Sequence, residues 1–510
     1  MPSSLTLTRR AFEILLAAAL LATPAVAQSS TPAAPLDGFD SYVASAMKDW
    51  RIPGLAVAVV KDGRLVMAKG FGVREQGRSE PVDEHTLFAI GSTTKAMTAA
   101  LIGMLVDEKK LNWDDPVIKY LPWFQLKDPY VTRELTVRDL LTHRSGLGNA
   151  DFLWVGQNNS AHEIIRRLRL IEPAYSFRSS FIYQNIMYAT AGAVIEAASG
   201  KTWEQMIQTR IFDPLEMHDT IPVLRMRAQR SNIASPHQVV NGRVLVVEST
   251  SVDSVAPAGS VWSSVADMSK WMQFLIDGGV VGGPNGTRLL SEATAAELFK
   301  PQVIAPRDQY PTTALVKPHW MTYGLGWFQQ DYQGRAVDFH TGSIDGMIAI
   351  HGLIRDERLG VYALGNLANG ELRHAIMYTV FDRYAGRHDH DWSKEFLKLY
   401  GDLEKTAEEA QKRQESRRVT GTSPSLALEK YAGTYSDPLH GSVEIAFSEG
   451  KLQIRYGVAR AGTLEHWNYD TFRANWNAEW NRPSLVTFNL DAQGRPAMLQ
   501  FLGSRYVRQP

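Results

Sequence analysis

Three serine–lysine pairs in the chain have the lysine three residues after the serine: Ser45/Lys48, Ser92/Lys95 and Ser448/Lys451. Residues i and i+3 share one helix face, so the amine can reach the hydroxyl and take its proton, which turns an alcohol into a nucleophile toward a carbonyl carbon. The spacing alone discriminates little, because about one such pair arises by chance in a chain of this composition. Context separates them. Ser448 belongs to a Glu449-Gly450-Lys451 turn, and Ser45 lies in a helical pattern with no glycine before it. Only Ser92 follows a glycine-bearing approach, Ala89-Ile90-Gly91, and opens a helix. At that position the helix dipole favours an alkoxide, and the Ser92 N–H can face a substrate oxyanion.

Two further groups can complete such chemistry. Tyr183-Gln184-Asn185 is the only Tyr-x-Asn among the 18 tyrosines, between a loop over 173–181 and a helical pattern that starts at Asn185. A tyrosinate or a Tyr–Lys pair can move a proton from nucleophile to leaving atom, and the Asn185 amide can hold a substrate carbonyl. The competing reading is a loop tyrosine that only packs its ring. His340-Thr341-Gly342-Ser343 leaves a strand pattern over 336–339. Gly342 lets a substrate backbone come close, and the Ser343 N–H can complete an oxyanion site with Ser92.

The elements that must position these residues follow from periodicity. A helical pattern over 39–50 precedes a β-hairpin over 55–60 and 65–72, turned by Asp62-Gly63. Met97, Leu101, Met104 and Leu105 recur at helical spacing and predict an amphipathic helix over 93–108, opened by Ser92. Helical patterns over 135–141, 161–170, 185–199, 203–211 and 264–276 predict an inserted all-helical layer, about 96–280. Strand patterns return over 323–329, 336–339, 347–354 and 360–366, then a helix over 371–384. The expected fold is α/β (α+β): an antiparallel sheet flanked by helices with a helical insertion. Residues 394–420 read as a charged helical linker, and 421–510 as a separate small β-barrel-like domain. In that tail Trp467, Trp476 and Trp480 read as core fillers, with a ligand platform as the alternative. His388-Asp389-His390-Asp391 reads as a solvated turn, because no further ligand stands at metal-binding spacing.

Charge is balanced, with 54 Lys+Arg against 54 Asp+Glu in 510 residues, so no basic surplus points to nucleic acid. Without cysteine there is no disulfide, no thiolate nucleophile and no Cys-ligated zinc. Residues 1–27 read as a cleaved export signal: Arg9 and Arg10, an apolar run over 14–21, and Ala25-Val26-Ala27 before Gln28. Thr8-Arg9-Arg10-Ala11-Phe12 also resembles a twin-arginine signal. No later segment is long and apolar enough to span a bilayer, and a periplasmic protein over 28–510 is expected.

Taken together in this order, Ser-x-x-Lys, Tyr-x-Asn and His-x-Gly resemble the three motifs of the serine β-lactamase and penicillin-binding-protein superfamily. Phe88-Ala89-Ile90-Gly91-Ser92-Thr93-Thr94-Lys95, Leu140-Leu141-Thr142-His143-Arg144-Ser145-Gly146-Leu147, Ala258-Gly259-Ser260-Val261-Trp262 and Tyr323-Gly324-Leu325-Gly326-Trp327 resemble the class C β-lactamase-related hydrolases. That branch includes D-aminopeptidases, D,D-carboxypeptidases and esterases, and the resemblance covers about 36–390. Tyr431-Ala432-Gly433-Thr434-Tyr435 resembles a small β domain often appended to these hydrolases. The resemblance implies that Ser92 attacks the carbonyl, Lys95 is the neutral base, and Tyr183 protonates the leaving group and later activates water. It also implies that the Ser92 and Ser343 N–H groups hold the oxyanion, that His143 is structural, and that no metal or cofactor takes part.

His340 departs from the lysine found at the third motif in most of that superfamily. A histidine is a weaker carboxylate anchor than a permanent cation and a better neutral partner for Tyr183. The balance therefore moves from β-lactam hydrolysis and D,D-carboxypeptidase activity toward cleavage of amide bonds in small or unusual peptides. Ester hydrolysis, β-lactam hydrolysis and a non-catalytic binding role remain the alternatives. The oligomeric state is left open.

Overall fold

The computed structural model describes residues 34–283, 285–368 and 370–510; the export signal expected over 1–27 lies outside them. Helix α1 (Phe39–Trp50) buries Phe39, Val43, Ala46, Met47 and Trp50 on one stripe and stops at Arg51, whose φ of 60° breaks the helix. Strands β1 (Gly54–Lys61) and β2 (Arg64–Gly72) form the expected hairpin, with positive φ at both Asp62 and Gly63. Every residue of β1 but the last is buried, and its side chains divide by parity. Leu55, Val57 and Val59 join the core containing α1, while Ala56, Ala58 and Val60 join a second core on the opposite face.

That second core belongs to the helical layer, built around α2 (Thr94–Asp107), α3 (Asn185–Ser199) and α4 (Val265–Ile276). Two expectations are corrected here. Helix α2 is not amphipathic: Thr94 through Leu105 are all buried, because helices cover it on several sides. The layer is not all-helical either. It carries antiparallel ribbons His237–Val240 with Arg243–Val246, Val280–Val281 with Thr287–Arg288, and Phe88–Ala89 with Trp262–Ser263. These ribbons are two to four residues long, below the length at which strand periodicity can be read.

The chain then returns to the sheet through β3 (Val303–Ile304), β4 (Met321–Tyr323), β5 (Phe328–Tyr332), β6 (Arg335–Ile344), β7 (Met347–Ile354) and β8 (Leu359–Gly365). The strand order is β2-β1-β8-β7-β6-β5-β4-β3, antiparallel throughout. The strand expected over 323–329 is interrupted at Gly324, where the chain turns back before β5. His340 through Ser343 do not leave a strand; they continue within β6, paired to His351 through Ile348 on β7.

Helices α5 (Leu372–Tyr384) and α6 (Trp392–Ser416) complete the layer beside α1; Trp392 and Phe396, with Leu397, Leu399 and Tyr400 partly buried, anchor the first turns of α6, which is exposed beyond Gly401. Asp391 caps α6 by accepting the Lys394 N–H, and His390 packs on Trp392. Beyond α6, eight strands, β9 (Gly433–Asp437), β10 (Gly441–Ser448), β11 (Lys451–Tyr456), β12 (Arg460–Asn468), β13 (Thr471–Trp476), β14 (Ser484–Leu490), β15 (Pro496–Phe501) and β16 (Ser504–Arg508), close into a barrel in sequential order. Its core contains Trp476 but neither Trp467 nor Trp480. Trp467 instead lies beside Arg418 and Arg473. The barrel rests on the helical layer through two turns. Val458 N–H donates to Gly156 O over 2.9 Å, and His440 packs against Phe152 with ring centroids 4.4 Å apart.

Two glycines separate packing from propensity. A Cβ on Gly342 would stand 1.9 Å from Ile90 O, whereas one on Gly401, inside α6, meets nothing within 4 Å. Gly342→Ala is therefore expected to cost about 1–3 kcal/mol through overpacking, and Gly401→Ala to gain up to about 1 kcal/mol of helix stability. Denaturant unfolding checks both signs.

Candidate active site

Ser92 lies in the turn Gly91–Thr93 that leads into α2, half-buried between buried neighbours. Gly91 has φ 53°, and a Cβ there would stand 2.7 Å from Ser343 N. The glycine thus supplies both the left-handed backbone and the room for β6 to reach the serine. The other two Ser-x-x-Lys pairs are exposed, one on α1 and one at the β10–β11 end, far from such an environment.

Lys95, in the first turn of α2, is fully buried. Its Nζ lies 3.0 Å from Ser92 Oγ, 2.7 Å from Asn185 Oδ1 and 2.8 Å from Ala258 O. The last two are obligate acceptors. A neutral amine has two hydrogens, and when both are used there, its lone pair faces the Ser92 hydroxyl. Burial pushes the amine down to about 7, opposed in part by the Asp151 carboxylate. Near neutral pH a large fraction of Lys95 is therefore uncharged.

Tyr183 lies two residues before the start of α3, with Lys95 Nζ 4.8 Å from its ring centroid. Burial raises its phenol well above 10, although contact with Ser92 works the other way. Its hydroxyl has no hydrogen bond of normal geometry, so the Ser92 contact is a close approach in which burial prevails. The tyrosinate alternative does not hold in the resting protein: Tyr183 is a neutral phenol. His143, with φ 59°, brackets it. Its carbonyl accepts the Ile182 N–H at 3.1 Å, its Nδ1 accepts the Gln184 N–H at 3.0 Å, and its ring centroid lies 4.4 Å from that of Tyr183.

Asn185, expected to hold a substrate carbonyl, has its amide occupied within the protein. Oδ1 accepts from Lys95, and Nδ2 lies 3.0 Å from each carboxylate oxygen of Asp151. Asp151 escaped the sequence reading, since nothing in the Asn149-to-Trp154 stretch marks it and its partner lies 34 residues away.

His340 is also corrected. It is buried and does not bond Tyr183, whose ring centroid is 6.0 Å away. Its Nδ1–H donates to Thr341 O at 2.7 Å, which leaves Nε2 to accept from Tyr323 OH at 3.0 Å. The reason is topological: two strands away in the sheet, β4 delivers Tyr323 to the position that local reading assigned to Tyr183. Burial, reinforced by Lys95, holds His340 down at about 3, so it is neutral. Gly342 admits the chain's own Ile90–Gly91 backbone rather than a substrate. A cation does reach this strand, from a residue the sequence reading missed. Buried Arg373 donates to Gly342 O at 2.5 Å and Ser343 Oγ at 2.8 Å, and it is paired with Glu371 at 2.8 Å.

The structure thus brings Ser92, Lys95 and Asn185 into hydrogen-bond contact, sets Tyr183 and Ser343 beside them, and places His340 behind them. Such a group can deprotonate an alcohol and protonate a leaving atom without a permanently charged base.

The Beta-lactamase family model matches residues 39–381, and residues 417–505 match a domain of unknown function, DUF3471. The unguisins hydrolase ungD of Aspergillus violaceofuscus is 30% identical over 483 residues, covering 86% of this chain and 83% of that protein. Penicillin-binding protein 4 of Amycolatopsis lactamdurans is 30% identical over 307 residues, 58% of this chain and 76% of the other. The octameric penicillin-binding protein homologue from Pyrococcus abyssi has the same fold, with a TM-score of 0.61 at 22% identity over 92% of this chain and 99% of its own. With a family model over most of the chain before α6 and a relative at this identity over most of its length, the chain belongs to the serine β-lactamase and penicillin-binding-protein superfamily, a group of serine hydrolases, and carries a closed β-barrel at its C-terminal end.

Proposed function

We propose that the protein is an exported, periplasmic serine hydrolase that cleaves amide bonds of small or unusual peptides through an acyl-enzyme on Ser92. The observation that carries this reading is the fully buried Lys95 Nζ, 3.0 Å from Ser92 Oγ and held by two obligate acceptors, Asn185 Oδ1 and Ala258 O. Ser92 passes its proton to Lys95 as Oγ attacks the carbonyl, and the Ser92 and Ser343 N–H groups receive the oxyanion. Collapse expels the amine: neutral Tyr183 donates its proton to the leaving nitrogen and takes one back from the Lys95 ammonium, restoring both groups. Water then attacks the ester, with the same groups returning a proton to Ser92.

The environment of the third motif favours amides over carboxylate-bearing β-lactams. His340 is neutral, and Arg373 is already matched by Glu371, so no unpaired cation among the described residues waits there for a carboxylate. The relative named an unguisins hydrolase supports hydrolysis as the reaction class. No helix of the described residues is long and apolar enough to cross a membrane; export rests on Arg9, Arg10 and the Ala25-Val26-Ala27 site.

A fluorophosphonate probe is expected to label wild type and not Ser92→Ala, and Ser92→Ala is expected to lose at least about 10³-fold in turnover. Equal labelling of both would rule out Ser92 as the nucleophile, and no labelling of either would favour a non-catalytic binding role. On a panel of aminoacyl p-nitroanilides, short acyl esters and a chromogenic cephalosporin, the anilides are expected to have the highest kcat/KM. Faster ester or cephalosporin turnover would reassign the substrate class. The pH dependence has a definite sign. Lys95 is depressed, so it is charged and inert below about 7 and neutral and competent above it. The kcat/KM is therefore expected to rise through about pH 7. Tyr183, raised well above 10, adds no falling limb before pH 10. A pH profile locating the acid limb near that of an ordinary lysine would refute the role of Lys95.

A further inference from the structure

A carboxamide is nearly symmetric in shape but not in chemistry, and the relay needs Asn185 one way round only. The flipped amide would set its NH2 against the lone pair of the neutral amine and leave Ser92 Oγ, 3.0 Å away, to accept one of the amine hydrogens, so the lone pair would no longer face the serine. Something must forbid the flip. We infer that Asp151 is the positioning residue that fixes the Asn185 amide and thereby aims Lys95 at Ser92; this rests on the acyl-enzyme reading given above.

An ionised carboxylate only accepts, and both Asp151 oxygens lie 3.0 Å from Asn185 Nδ2, so only one amide orientation fits between Asp151 and Lys95. A continuous chain results, from Asp151 through Asn185 and Lys95 to Ser92, with steps of 3.0, 2.7 and 3.0 Å. The carboxylate is itself held: Trp154 Nε1 donates to Oδ1 at 2.9 Å and Asn149 Nδ2 to Oδ2 at 3.1 Å. Among the described residues it has no ion-pair partner, so its charge is left for this polar set. The barrel supports the same loop. Val458 N–H binds Gly156 O, His440 packs against Phe152 next to Asp151, and a Cβ on Gly457 would stand 2.1 Å from Gly156 O. The appended domain thus braces the segment that orients the amide.

The groups facing Lys95 are the Ser92 hydroxyl, the Asn185 amide, the Tyr183 and Tyr188 rings, and the Asp151 carboxylate, with His143 and His340 neutral nearby. Asp151 is the charge among them that favours the ammonium, so removing it has a readout that a merely structural role would not produce.

The experiment measures the second-order rate of fluorophosphonate labelling against pH for full-length wild type, Asp151→Asn and Trp154→Phe. Asp151→Asn permits the flip and removes the charge. It is expected to slow labelling on the plateau by about tenfold to a hundredfold and to move the acid limb to lower pH. Trp154→Phe keeps the charge and removes one donor that holds it, so it is expected to slow labelling less and leave the limb in place. Wild-type rate and limb in Asp151→Asn would overturn the inference. Should Asp151→Asn not fold, an unchanged rate in Trp154→Phe would overturn it instead. Absence of labelling in wild type would strike the acyl-enzyme reading and not Asp151, which separates the two failures.

Discussion

Water stabilises an ammonium far better than a protein interior does, and the buried amine of Lys95 is where this molecule meets that constraint. Moving a lysine from 10.5 to about 7 corresponds to a bias of about 5 kcal/mol toward the uncharged form. The protein limits that penalty with three hydrogen-bonding partners rather than with a counter-ion in contact. A carboxylate at Nζ would restore the charge; Asp151 stands one amide further out and opposes the shift only in part. The wholly buried helix α2, the three aromatic rings of Tyr183, Tyr188 and His143, and the closing of the helical layer over them all serve the same end. They exclude water from the amine and so favour its uncharged form.

The same constraint explains why the sheet presses so closely on the serine. Ser92 and Ser343 belong to different elements, and the backbones beside them touch through glycines. Ile90 and Gly91 meet Gly342 and Ser343 at distances no side chain would allow. Arg373, donating to Gly342 O, Ser343 Oγ and Ala349 O, ties that corner of β6 to β7 and α5. Its charge is balanced by Glu371, so it serves as a clamp on the strand. The third motif is in this sense a packing device whose polar ends are already satisfied, and the neutrality of His340 follows from its place behind the site.

Much of the architecture was legible because it is periodic. Helix α1 follows from a spacing near 3.6 residues, and the β1–β2 hairpin from two β-rich runs that flank the Asp62-Gly63 turn. The serine–lysine pair was legible for the same reason, one helical turn joining the two. Reading failed where elements were too short to have a period, as in the ribbons within the helical layer, or where burial came from several sides, as in α2. It failed too at Asp151, Tyr323 and Arg373, which carry no local signal and matter only through what they touch.

The amino-acid order by itself determined which side chains stand one turn or one strand step apart: Ser92 with Lys95, Tyr183 with Asn185, His340 with Gly342. Tertiary structure alone decided what those side chains meet. Lys95 finds its two acceptors 90 and 163 residues away, and His340 finds Tyr323 rather than Tyr183. Covalent spacing sets contacts within an element, whereas contacts between elements depend on strand register and helix packing, which are settled by the burial of the whole core.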